Sequence, residues 1–287
     1  MRPVSCILVD SGATKAQWVC LHNGKEESGG AFPGLHPYLT PATIWRESLA
    51  QLPRSSSDGS WIGDVFFYGT GCGSEQGREQ VRAYFQEFYR SGLSLQVESD
   101  LLAAARAVCG CKPGLVAILG TGSNVARYDG RELAAQFGGF GYVLGDEGSG
   151  AALGKAFLRA YLYGQLPEEL SRQLEDQYAL SRSAIIDAVY KGALPSRYLA
   201  GWTREMMRWS HLPEVSGLIR GVFREFVAVN VKPLTGTGFQ TLHCAGSVAE
   251  HFKPWLGAAL RTEGLQLGQV MARPMPGLVA FHAKAGG

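Results

Sequence analysis

Six consecutive residues, Asp10-Ser11-Gly12-Ala13-Thr14-Lys15, bring together a carboxylate, a glycine turn, a hydroxyl and a cation. They lie between the apolar runs Ile7-Leu8-Val9 and Ala16-Gln17-Trp18-Val19-Cys20-Leu21, which predicts strand, tight turn at Gly12 and strand. Residues this small let a ligand approach the backbone, whose successive N–H groups can form a nest for anionic oxygens. Thr14 and Lys15 add a donor and a positive charge, and Asp10 offers an oxygen ligand for a hard cation, directly or through water. A phosphate with Mg²⁺ calls for these parts. An ordinary hairpin whose aspartate caps its turn accounts for this stretch alone equally well.

A second stretch repeats the design. Val116-Ala117-Ile118-Leu119 leads into Gly120-Thr121-Gly122-Ser123 and then Asn124-Val125-Ala126. Each copy is closed by a hairpin signal, Asn23-Gly24 in the first and Asp129-Gly130 in the second. Two such units about a hundred residues apart predict two similar domains, each offering a phosphate loop to a shared cleft. Lys112-Pro113-Gly114 marks the boundary, giving domains 1–112 and 113–287.

The elements that must position these groups follow from the pattern. A third strand is expected within 23–31, a helix over 41–52, and a buried strand at Asp64–Tyr68 ending in Gly69-Thr70-Gly71-Cys72-Gly73. Residues 75–91 have helical spacing, Leu93–Glu98 reads as a strand, and Asp100 opens the alanine-rich helix Leu101–Cys109, where its plain role is N-cap. Three short strands are expected over 116–137. The glycine-rich loop Gly138–Gly150, whose glycines suit close backbone approach, then runs into a helix at Ala151–Tyr163. From 167 to 232 the chain reads as helical, with breaks near Gly192–Pro195 and Leu212–Pro213. Gln240–Ala245 is a strand that delivers Gly246-Ser247 to a helix N-terminus, where small residues allow an adenine ring against the backbone. A last helix is expected at about 274–284. The polar loop Arg54–Ser60 carries no evident chemistry.

Composition narrows the function classes. At 287 residues, 46% apolar and 18% charged, the chain can bury two cores and is not of disordered type. A net charge of +2 without a basic block points away from nucleic acid and membrane surfaces. No apolar run of ~20 residues exists, and the apolar run after Arg2 meets Asp10 at once, so a cytoplasmic protein without signal peptide is expected. Six cysteines show no C-x-x-C, and only Cys109-Gly110-Cys111 resembles a redox or metal pair; buried or idle thiols are expected. Gly148–Lys155 departs from a Walker A loop at Ser149 and Ala156, and no G-x-G-x-x-G follows a strand.

Asp10–Lys15, Gly120–Ser123, Gly138-Gly139-Phe140-Gly141 with Gly145–Ser149, and Cys244–Ser247, in that order, resemble the N-acetylglucosamine kinase branch of the BadF-type ATPases. That family lies in the sugar kinase/heat-shock protein 70/actin superfamily, and the resemblance runs from about residue 5 to about 282. It implies an α/β fold of two ribonuclease H-like (actin-like ATPase) domains with a cleft between them, a helical insertion in the second, and a last helix packed back on the first. It further implies ATP held by Gly12, Thr14 and Lys15 on one side and Gly120, Thr121, Gly122 and Ser123 on the other, with Gly246 and Ser247 bordering the adenosine. Asp10 would anchor Mg²⁺, Asp146 would serve the metal or a sugar hydroxyl, and Asp100 would act as base on the sugar's 6-hydroxyl. The sugar walls implied are His36, Thr70 and Gly71, and Gly139, Phe140 and Gly141. His36 stands where asparagine is common, Phe140 where some members carry tryptophan, and Ser11 and Ala13 where glycines are frequent. The implied function is ATP-dependent phosphorylation of an amino sugar, N-acetylglucosamine foremost, by a protein free to form a homodimer. The alternatives are an ATPase activator of a radical dehydratase, which needs cluster-binding cysteines, and a non-catalytic sugar or nucleotide sensor.

Overall fold

The computed structural model describes residues 5–12, 14–53, 63–89, 94–236 and 238–285; Ala13 and the loop 54–60 lie outside the described residues. The chain forms two compact units. The first comprises Met1–Lys112, Gly130–Glu132 and Pro274–Gly287, and the second Pro113–Asp129 and Leu133–Arg273.

In the first unit, β1 (Ser5–Ser11), β2 (Lys15–His22) and β3 (Lys25–Pro33) form an antiparallel meander, and β4 (Asp64–Gly69) and β5 (Ser94–Ser99) add in parallel beside β1. The sheet order is β3-β2-β1-β4-β5. Asn23 and Gly24 have φ of 50° and 75°, the two left-handed positions of a two-residue hairpin whose twist matches its strands. Alternation along β1 sends Ile7 and Val9 to one face and Leu8 and Asp10 to the other. The first face forms a core with Trp45 and Leu49 of α1 (Ala42–Leu49) and Val81 and Phe85 of α2 (Glu75–Phe88).

α3 (Asp100–Cys109) follows β5 without a loop, and its N-cap is Ser99, whose hydroxyl accepts the Leu102 N–H at 3.2 Å. The capping role that the sequence suggested for Asp100 belongs to its neighbour, so the Asp100 carboxylate has other uses. α3 is built of small buried residues, Ala103, Ala104 and Ala105 among them, which allow close packing of α13 (Met275–Ala285) in the same unit. Gly277 of α13 comes so close that a Cβ there would stand 2.5 Å from the Ala107 carbonyl oxygen.

The second unit repeats the plan. β6 (Gly114–Leu119), β7 (Ser123–Tyr128) and β8 (Leu133–Gly138) form the meander, with β9 (Thr241–Ala245) and β10 (Gln266–Met271) parallel beside β6, in the order β10-β9-β6-β7-β8. β10 was not foreseen: two glutamines, Gly268 and a register shift between Leu267 and Val270 obscure its alternation. The glycine-rich loop contains a single turn, α4 (Gly141–Leu144), ahead of α5 (Gly150–Leu162). The helical stretch divides into α6 (Glu168–Tyr178), α7 (Arg182–Tyr190), α8 (Pro195–Gly201), α9 (Thr203–Arg208) and α10 (Pro213–Phe226), with two breaks more than expected, at left-handed Ala179 and at Trp202. α10 continues as a π-helical turn, Val227–Val231. Short α11 (Ser247–His251) and α12 (Lys253–Thr262) connect β9 to β10. The core of this unit gathers Leu115, Ala117 and Leu119 of β6 with Phe157 of α5 and Ile219, Phe223 and Phe226 of α10.

Candidate active site

The candidate residues fall into two groups, each at the C-terminal ends of one unit's parallel strands, the edge where open α/β sheets bind ligands. In the first unit Asp10 is the last residue but one of β1, opposite Tyr68 of β4. Asp100 begins α3 one residue after β5. Thr70, just past β4, donates its hydroxyl to Asp100 Oδ2 at 2.6 Å. Burial pushes the Asp100 carboxyl up, while the Thr70 hydrogen bond and the Leu101 and Asp100 N–H groups pull it down. Asp10 is pushed up to about 7, first by burial and then by the negative charge of Asp100. Two partly buried carboxylates repelling one another favour a cation between or beside them. No hydrogen bond engages the Asp10 carboxylate among the described residues, so its oxygens are open to a hard cation, and the residues fit Mg²⁺ in this respect.

Ser11 stands where the resemblance implies a glycine. Fully buried, it accepts the Leu35 N–H at 2.8 Å through its hydroxyl, and its carbonyl accepts the Thr70 N–H at 2.9 Å. One residue therefore ties together the ends of β1 and β4 and the segment that carries His36. The Gly12 N–H is engaged with the Lys15 carbonyl at 3.1 Å, which closes the turn. The exposed Thr14 hydroxyl and Lys15 ammonium on this turn are donors that an anion could use.

His36 is half-buried with its Nδ1 accepting the Tyr38 N–H at 3.2 Å, while its own N–H donates to the Thr40 hydroxyl at 2.8 Å. Burial lowers its pKa against the opposing pull of Asp100. The neutral ring therefore carries its proton on Nε2, as a donor. Nε2 lies 2.8 Å from where a Gly71 Cβ would stand, so His36, Thr70, Gly71 and Asp100 form one cluster.

In the second unit Gly120–Ser123 lies against the start of α5. Gly150 and Ala151 donate their N–H groups to the Gly120 and Thr121 carbonyls at 2.8 and 3.1 Å, and buried Ser149 caps the helix through Ala152 N–H at 3.1 Å. Ser123 donates its hydroxyl to the Glu147 carbonyl at 2.7 Å, so that hydroxyl serves the loop's own structure. Burial pushes the Asp146 carboxyl up, and the Ser123 and Gly141 N–H groups that face it offset only part of that rise. Its Oδ2 would stand 2.9 Å from a Gly122 Cβ, so a side chain at 122 would push the carboxylate from its place. Asp146 itself has φ of 60°, an unusual conformation for a residue with a side chain. Its carboxylate is a brace between the two loops. Gly139 lies beside Asn124, and Phe140 is 61% exposed with its ring edge-on to Phe137. The pairing of Ile118 with Ala245 brings Gly246 and Ser247 to the same sheet edge as Gly120.

Several groups at or below these sites gave no signal in the sequence. The Tyr68 hydroxyl accepts from Arg106 Nη1 at 2.7 Å and pairs with His282 Nε2 at 2.8 Å, joining β4, α3 and α13. Asn230 is buried on the π-helical turn. Residues this far apart in the chain show no spacing to read. All six cysteines are free; Cys109 is half-buried with its thiol pushed up to about 11 by burial, and Cys111 is exposed. No cluster of three or more His, Cys, Asp or Glu suited to a metal exists among the described residues. No described helix is long and apolar enough to cross a membrane.

No family model and no curated protein matches the chain. Among solved structures, the chain is similar to a candidate N-acetylglucosamine kinase from Porphyromonas gingivalis, with 34% identity over 98% of this chain and 100% of that one and a TM-score of 0.90. A second candidate N-acetylglucosamine kinase, from Chromobacterium violaceum, shares 20% identity over 97% and 98% of the two chains with a TM-score of 0.72. A ROK-family glucokinase from Streptomyces griseus, solved with glucose and AMPPNP, matches at 16% identity over 96% and 97%, with a TM-score of 0.57. The last two matches establish the fold: an α/β, actin-like ATPase architecture.

Proposed function

The chain belongs to the N-acetylglucosamine kinase branch of the BadF-type ATPases, and we propose on that footing that it phosphorylates an amino sugar with ATP, N-acetylglucosamine foremost, at the 6-hydroxyl. What carries the reading is the Thr70–Asp100 pair. A carboxylate with raised pKa, fixed by a 2.6 Å hydrogen bond at the first turn of a helix, suits a general base for an alcohol. Thr70 fixes Oδ2 and so orients the carboxylate that takes the hydroxyl proton as the sugar oxygen attacks the γ-phosphorus. His36 Nε2–H, beside Gly71 in the same cluster, offers one donor to a carbonyl or hydroxyl oxygen of the sugar.

Asp10 is the residue to hold Mg²⁺, which when bound with ATP supplies charge neutralisation at the transferring phosphoryl group. Thr14, Lys15 and the Gly120–Ser123 loop are proposed for the phosphates, and Gly246 and Ser247 for the adenosine. Asp146 is proposed to act by holding Gly122 and Gly141 in place, with two backbone donors on its carboxylate. Gly139, Phe140 and Gly141 are proposed as the sugar's second wall. A soluble enzyme of the cytoplasm acting on a free sugar fits this set.

The test is Mg²⁺-dependent ADP release from ATP in the presence of a panel of amino sugars and neutral hexoses. Stimulation of at least about tenfold by N-acetylglucosamine is the expected outcome. ATP turnover indifferent to every sugar overturns the reading.

A further inference from the structure

Asn230 is 1% exposed, and neither its carboxamide nitrogen nor its oxygen has a hydrogen-bond partner among the described residues. Buried amides are paired in nearly all native structures, because leaving either end unpaired is unfavourable. The residue also sits on a π-helical turn, an insertion that interrupts a helix and recurs where function requires it.

The amide faces a glycine-rich stretch of backbone. Its Nδ2 is 2.7 Å from where a Gly138 Cβ would stand, so it abuts the Gly138–Gly139 turn, and only glycine fits opposite it. Gly138, Gly139 and Gly141 have φ of 91°, 73° and 80°, three left-handed positions within four residues. Glycine crosses between positive and negative φ at little steric cost, so peptide groups here can rotate. The segment they control leaves Phe140 61%, Val143 69% and Leu144 81% exposed, an unfavourable display for apolar side chains unless another state covers them.

We propose that Asn230 is a positioning residue for this segment: its amide receives the peptide groups of the Gly138–Gly139 turn when the loop docks, and so sets Phe140 in its substrate-bound place. The description of Phe140 as facing a sugar rests on the kinase reading; the docking itself does not. In the docked state the Asn230 nitrogen donates to a turn carbonyl and its oxygen accepts a turn N–H. The binding of the sugar then draws on a state that the free protein already samples.

Asn230→Leu keeps the side-chain size and removes both polar ends. Amide hydrogen exchange over 138–141 without any ligand decides for the docking: the docked state that the free wild type samples slows exchange there, so the variant is expected to exchange about twofold or more faster, with β7 unchanged. Equal exchange in both proteins overturns the proposal. Kinetics and thermal unfolding with N-acetylglucosamine then read its consequence. The variant is expected to be at least as stable as the wild type when free, to lose most of the sugar-induced rise in Tm, and to show a KM for sugar raised about tenfold or more at unchanged KM for ATP. A less stable variant with wild-type KM marks a merely structural amide and also overturns the proposal. A wild type that responds to no sugar removes the kinase reading, while the exchange comparison still decides the role of Asn230.

Discussion

At the scale of single residues, Asp10 and Asp100 share one electrostatic problem and solve it in different ways. Asp100 has Thr70 and two backbone N–H groups; Asp10 has burial and a like charge. Asp100→Asn keeps the shape and removes the base, so kcat with sugar is expected to fall by about 10²–10⁴ while ATP affinity, followed by calorimetry, stays close to wild type. Loss of both in equal measure contradicts the assignment. For Asp10 the sign of the pH effect follows from a folded pKa of about 7 against 3.8. The folded protein binds the proton more tightly, so this group's contribution is full below the lower value and is lost as pH rises through about 7. Asp10→Asn should therefore unfold at a higher temperature than the wild type at pH 8, by about 2–4 °C per kcal/mol relieved, and at the same temperature near pH 3. The same variant should lose activity. A carboxylate held at a cost to the fold is what a cation site requires.

At the scale of elements, loops are set by groups that the motif pattern treats as spacers. Ser11 joins the ends of β1 and β4 to the segment leading into His36. Ser11→Ala leaves the Leu35 N–H without its acceptor in a buried place, which costs about 1–3 kcal/mol. The expected result is a lower Tm and a raised KM for sugar, with kcat changed less than KM. Unchanged sugar kinetics in a destabilised variant would mean that the His36 segment holds its position without this tie. Local signals made much of this legible. Asn23-Gly24 announced its hairpin, and the strands β1, β2, β4, β6 and β7 were evident because apolar runs are bounded by glycine turns. β10 and the Ser99 cap were not, the first because its pattern is broken by Gly268 and glutamines, the second because serine and aspartate compete for the same cap.

At the scale of the molecule, a duplicated plan underlies both units: a three-stranded meander followed by two parallel strands, with the candidate groups at the same sheet edge in each. The first unit draws its covering helix, α13, from the far end of the chain. His282 of that helix meets Tyr68 at 2.8 Å, and burial together with the Arg106 charge depresses its pKa to about 4. The neutral ring is therefore the form that fits. Its contribution is full above the ordinary value of 6.5 and is lost as pH falls from there through about 4. His282→Gln is expected to flatten the acid side of a Tm-against-pH profile between pH 6.5 and 4. An acid limb identical to wild type would place the titrating contact elsewhere.

What the sequence determined by itself is what local rules encode. Glycine with small hydroxyl residues after apolar runs dictated the two loops, composition dictated a globular chain, and four motifs in order dictated the family. The tertiary structure alone decided which polar groups meet. Thr70 meets Asp100, Ser11 meets Leu35, and Asp146 meets Ser123 and Gly141 only after strands distant in sequence pair in register. The Tyr68–Arg106–His282 contact spans 214 residues, and the unpaired amide of Asn230 becomes visible only once its surroundings are in place. Hydrogen bonds and desolvation act over a few ångströms of space, and a chain's order says little about which of its polar atoms will come that close.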